Sequence, residues 1–71
     1  MTMAKNWEQI AGQWKQVRGE AKKKWGKLTD DELLQVDGNR DILAGKIQER
    51  YGIAKEDVNK QIDEWAAKLK V

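Results

Sequence analysis

The chain contains no cysteine, histidine, serine, proline or phenylalanine. Without cysteine there is no disulfide framework, no thiolate metal site and no thiol redox chemistry. Without histidine the commonest general base near neutral pH is gone. The absence of serine and cysteine together removes the usual acyl-transfer nucleophiles, and Thr2, Thr29 and Tyr51 are the only hydroxyls. Carboxylates are plentiful, but a polar helical surface solvates acids far more often than it sets them to catalysis. The chain therefore reads as a non-enzyme with no cofactor.

Long apolar runs are also missing. No segment approaches the roughly 20 apolar residues that cross a bilayer, and the opening MTMAKNWEQI has no apolar stretch like a signal peptide's core. The expectation is a soluble, cytoplasmic, monomeric protein without a membrane partner. With 71 residues it should form one small domain, residues 1–71, with a short flexible N-terminus at 1–5. Total stability should be about 4–10 kcal/mol, and no core is left over for a substrate pocket of about 300–1,000 Å³. Charged residues make up 37% of the chain, close to a disordered composition, yet the apolar residues are regularly spaced and argue for a fold.

That regularity is plainest in WEQIAGQWKQVRGE, one seven-residue phrase said twice: Trp7, Gln9, Ile10 and Gly12 return as Trp14, Gln16, Val17 and Gly19. Apolar residues at Trp7, Ile10, Trp14, Val17, Ala21 and Trp25 advance by three or four, which keeps one face of a helix. At about 100° per residue the tryptophans form a core stripe, and Gly12, Gly19 and Gly26 fall nearly opposite. That glycine back reads either as local flexibility, with a break near Gly19, or as a place where another backbone comes close. Asn6 is placed as N-cap and Gly26 as the C′ stop.

Three further helices follow. Thr29 with Glu32 makes a capping box ahead of Leu33, Leu34 and Val36, and Gly38 ends that helix. Asn39 can cap the next, whose face is Ile42, Leu43, Ile47 and Tyr51; Gly45 would permit close approach and Gly52 is its stop. The last covers about Lys55 to Leu69 with Val58, Ile62, Trp65 and Leu69 inward, and Ile53 stapled against its start. The fold class is all-α, a small four-helix domain.

Arg18 to Gly52, RGEAKKKWGKLTDDELLQVDGNRDILAGKIQERYG, resembles the CsbD-like family of small bacterial general-stress proteins. The matching details are Gly19, WGKLTDD at 25–31, Gly38 and LAGKIQERYG at 43–52, and the likeness extends over nearly the whole chain. The resemblance implies four helices packed as two crossing hairpins and expression under stress. It implies no established activity and no established site residues. Glycine-rich, hydrophilic family members invite comparison with desiccation-associated hydrophilins, which six glycines fit better than four tryptophans do.

Charge is uneven: residues 1–28 carry a net +5 and residues 29–71 a net −3, within an overall +2. Lys15, Arg18 and Lys22 share one helical stripe, with Lys23 and Lys27 nearby. Such a stripe could hold an anion, such as nucleic-acid phosphates, without reading bases. The favoured alternative is a solvated edge, or pairing with Asp30, Asp31 and Glu32 within the fold. A net charge of +2 and the lack of a DNA-reading motif weigh against nucleic acid. Asp30, Asp31 and Glu32 are consecutive, so a helix fans them apart and no metal site is expected. The preferred function is a stress-associated protein acting through a protein partner or by general protection. The alternative is weak, sequence-independent nucleic-acid binding by the basic face of the first helix.

Overall fold

The computed structural model describes residues 7–69, and these form five helices. They are α1 (Trp7–Gly12), α2 (Trp14–Lys24), α3 (Asp30–Val36), α4 (Arg40–Tyr51) and α5 (Lys55–Lys68), with no strand among the described residues. The expected flexible stretch 1–5 and the Asn6 cap lie outside the described residues.

The first correction is the helix count. The expected first helix is two, because Gln13 leaves the helical region at φ −116° and ψ 27°. Its carbonyl accepts from the Gln16 and Val17 amides at 2.9 Å, so Gln13 starts α2 anew. The break falls just after Gly12, where glycine weakens the helix by about 1 kcal/mol relative to alanine. It does not fall at Gly19, which sits in unbroken helix. The kink turns α1 so that the Trp7 indole donates from Nε1 to the Gly38 carbonyl, 2.8 Å away.

Local signals set most other boundaries. Thr29 Oγ1 accepts from the Glu32 amide (3.1 Å), and Glu32 Oε1 accepts from the Thr29 amide (2.9 Å), closing the capping box. Asn39 Oδ1 accepts from the Ile42 amide, and Gly52 ends α4 at φ 64°. Two stops differ from expectation. Trp25 caps α2 at φ −120°, so Gly26 is not used as a left-handed stop. Asp37 reaches the left-handed region ahead of Gly38, the pair having φ 46° and 82°.

Each helix packs on its sequence neighbour: α1 on α2, α2 on α3, α3 on α4 and α4 on α5. The core takes Ile10, Trp14, Val17, Ala21, Trp25, Leu28, Leu33, Val36, Leu43, Ala44, Ile47, Val58, Ile62, Trp65, Ala66 and Leu69, with Trp7, Tyr51 and Ile53 packed against it. The indoles form a chain through it. Trp7 lies 6.4 Å from both Trp14 and Trp65, and Trp65 meets Trp25 edge-on at 5.1 Å. Three rings also satisfy their N–H groups: Trp7 on Gly38, Trp14 on the Leu33 carbonyl (2.8 Å) and Trp25 on Gln61 Oε1 (3.0 Å). Two apolar residues expected inward face out instead, Leu34 at 54% and Ile42 at 41% exposure. Ala44 takes the inward place that Ile42 was expected to hold.

Among the described residues the glycine back is open at Gly12 and Gly19, while a Cβ at Gly26 would make ordinary contact with the Lys22 carbonyl oxygen at 3.8 Å. A Cβ built at Gly12, Gly19 or Gly45 meets nothing within 4 Å, so no backbone closes on them among the described residues. Gly19→Ala and Gly45→Ala should each raise unfolding stability by about 0.5–1 kcal/mol through helix propensity. Urea unfolding checks this; a loss of stability in both would show that these sites are crowded.

Candidate functional site

α2 and α3 run antiparallel, as two contacts show. Trp14 Nε1, at the start of α2, donates to the carbonyl of Leu33 at the middle of α3, while Lys22 Nζ, near the end of α2, donates to the Leu28 carbonyl just before α3, at 2.6 Å. Between the two helices lies an open surface groove of about 400 Å³, lined by Lys15, Gln16, Arg18, Gly19, Lys22, Asp30 and Leu34. Of the cations read from the sequence, Lys15, Arg18 and Lys22 line this groove together. It does not extend to the other two cations. Lys23 pairs with Glu20 one turn back at 3.7 Å, and Lys27 lies over the Tyr51 ring, 5.1 Å from its centroid.

Of the two alternatives, a solvated edge or pairing with Asp30, Asp31 and Glu32, the described residues show no ion pair between these acids and Lys15, Arg18 or Lys22. Glu32 turns to Arg50 of α4, which holds it through Nε and Nη2 at 2.9–3.2 Å. Asp63 turns to Arg40, whose guanidinium also lies 5.8 Å from the centre of the Trp7 ring and so ties α1, α4 and α5 together. Both pairs join residues within the 29–71 part. Among the described residues no ion pair links Lys15 or Arg18 to an acid. Asp30 is the one acid in the groove lining. The sequence signal for the opposite wall was weak: Asp30 reads as a first-turn acid and Leu34 as core, and only packing places them across from α2.

Glu32 is structural. The Thr29 amide and then the Arg50 guanidinium hold its carboxyl below the ordinary glutamate range. A carboxyl whose folded value is depressed stabilises the fold above its unfolded value and loses that contribution as pH falls through the folded one. Acid unfolding should therefore begin below the usual glutamate value of about 4.3. Glu32→Gln should flatten the pH dependence of stability below that point, as read by urea midpoints from pH 6 downward. An unchanged profile would mean that the pair is already screened in the folded chain.

Among the described residues no group of acidic side chains is placed to hold a metal ion, and no helix is long and apolar enough to cross a membrane. Every buried side-chain nitrogen or oxygen among them has a hydrogen-bond partner. Fold and surface thus define a small all-helical protein with a tryptophan-linked core and a cationic surface groove. The chain belongs to the CsbD-like family, whose pattern matches residues 8–60. The UPF0337 protein YjbJ of Escherichia coli O6:H1 is 50% identical over 60 residues, covering 84% of this chain and 77% of that protein. The UPF0337 protein RPA4217 of Rhodopseudomonas palustris is 54% identical over 65 residues, covering 92% and 98%. No solved structure matches the chain.

Proposed function

We propose that this is a non-enzymatic bacterial stress-response protein that acts by contact, through a protein partner or as a general protectant. The carrying observation is the contrast between interior and surface. Among the described residues the buried polar atoms are internally satisfied, while Lys15 and Arg18 make no ion pair with an acid and line a groove with an exposed leucine. Such a molecule offers surfaces rather than reactive groups. In this reading the chain works as one cytoplasmic, monomeric domain over residues 1–71, with α2–α3 and α4–α5 as its two hairpins. The helices of each such pair pack on one another, as α3 and α4 also do.

The protective role predicts that stoichiometric amounts keep a labile enzyme active through drying or freezing. Equal protection by the same mass of an ordinary carrier protein would contradict it. Nucleic-acid contact by Lys15, Arg18 and Lys22 is the second reading, favoured by three cations on one face. It predicts affinity falling steeply with salt, with a log–log slope of about −0.9 per phosphate contacted on duplex DNA. Affinity should also be lost when the three cations are neutralised together. Affinity capture from stressed and unstressed cells, with and without nuclease, separates the two readings.

A further inference from the structure

The antiparallel run of α2 and α3 gives the groove two unlike ends. At one, Lys22 of α2 is already committed to the Leu28 carbonyl, and Asp30 begins the α3 wall across from it. At the other, Leu34 stands one helical turn beyond Asp30, on the side where Trp14 meets Leu33 and Lys15 begins the opposite wall. Leu34 is 54% exposed although Leu33 beside it is fully buried. The stems of Lys15 and Arg18 are aliphatic up to their charged heads. This end is therefore an apolar floor rimmed by two cations that no acid of the described chain neutralises.

We propose that this groove docks an acidic amphipathic segment of a protein partner, one apolar side chain covering Leu34 and carboxylates meeting Lys15 and Arg18. The proposal rests on the contact reading above and names the chemistry of the partner. Charge complementarity selects an anionic occupant, because the lining has three cations to one acid. The leucine selects among anions. A phosphate backbone would satisfy the cations, leave Leu34 wet and bring its charge against Asp30. A helix carrying an apolar residue with glutamates one and two turns away places both kinds of group on one face.

The test uses a synthetic helical peptide with one leucine and glutamates one and two turns on. It is titrated into the isotope-labelled full chain and followed by amide chemical shifts. Shifts should cluster at Gln16, Gly19 and Leu34. Leu34→Gln and Arg18→Gln should each weaken binding by about tenfold, the size of losing one interface anchor. Ile42→Gln, which removes the other large apolar side chain exposed among the described residues, should leave affinity unchanged. Leu34 is on the surface, so its variant should keep the parent's helical circular dichroism and melting behaviour. Four results would overturn the proposal. They are no shifts up to the solubility limit of the peptide, shifts centred elsewhere, equal affinity in Leu34→Gln, or a thymidine oligonucleotide that binds the same amides more tightly and ignores Leu34→Gln. The drying assay reads the broader role separately. Protection retained alongside any of these results would leave contact standing and remove only the groove.

Discussion

Trp25→Ala is expected to unfold most of the chain's population under mild denaturant. Trp25 is 1% exposed, and as the cap residue of α2 it pins the end of that helix to α5. Its ring meets Trp65 at 5.1 Å and an interplanar angle of 66°, and its N–H donates to Gln61. Replacing a buried tryptophan by alanine costs about 3–5 kcal/mol in lost transfer energy and residual cavity. The edge-on aromatic pair adds about 0.5–1.5 kcal/mol beyond buried area. Set against a total of about 4–10 kcal/mol for a chain of this length, that loss leaves little. Helical circular dichroism with urea should show a midpoint close to zero denaturant. Trp25→Phe keeps a ring against Trp65 and should lose less. A Trp25→Ala chain that keeps its midpoint within experimental error would show that the ring is peripheral.

Gly38→Ala should be the next most damaging change, and Gly52→Ala is its internal control. Both glycines have positive φ, 82° and 64°. An L-residue there costs about 1–2 kcal/mol. The surroundings differ. A Cβ on Gly52 meets nothing, whereas one on Gly38 lies 3.0 Å from Ala11 Cβ, 3.1 Å from its Cα and 3.2 Å from its carbonyl oxygen. Two of those atoms are backbone, so α1 itself must move. Overpacking of this kind adds about 1–3 kcal/mol. The displacement would also pull Trp7 away from the Gly38 carbonyl and from Trp65. Gly52→Ala should therefore cost about 1–2 kcal/mol, and Gly38→Ala about 2–5 kcal/mol. Amide exchange should quicken in α1 for Gly38→Ala alone. Equal losses in the two variants would mean that α1 does not rest on the α3–α4 turn.

Local chemistry was the legible part of this fold. The Thr29–Glu32 box, the Asn39 cap and the Gly52 stop each depend on residues within one turn, and all three occur as the sequence implies. The tryptophan stripe was legible for a related reason, since its three- and four-residue steps are a property of the helix itself. The kink at Gln13 was not. Trp7 and Trp14 stand one heptad apart, which an unbroken helix also satisfies, and the bend accompanies a hydrogen bond from Trp7 to Gly38, thirty-one residues along the chain from it. Leu33 and Leu34 are chemically identical neighbours, so only the packing of α3 decides which faces the core. The cationic wall of the groove could be read from α2 alone. Its partners could not, because Arg50 claims Glu32 from another helix, and among the described residues no ion pair involves Lys15 or Arg18.

The account turns on a chain of indoles, three buried and Trp7 half-buried, packed among the five helices of the described residues. Tryptophan emission and its quenching by iodide in dilute buffer test this most directly. Blue-shifted emission with weak quenching, moving to red-shifted and strongly quenched emission in a single urea transition that coincides with loss of helicity, is the predicted result. Emission already red-shifted and freely quenched in buffer, from a chain with little helical signal, would contradict it.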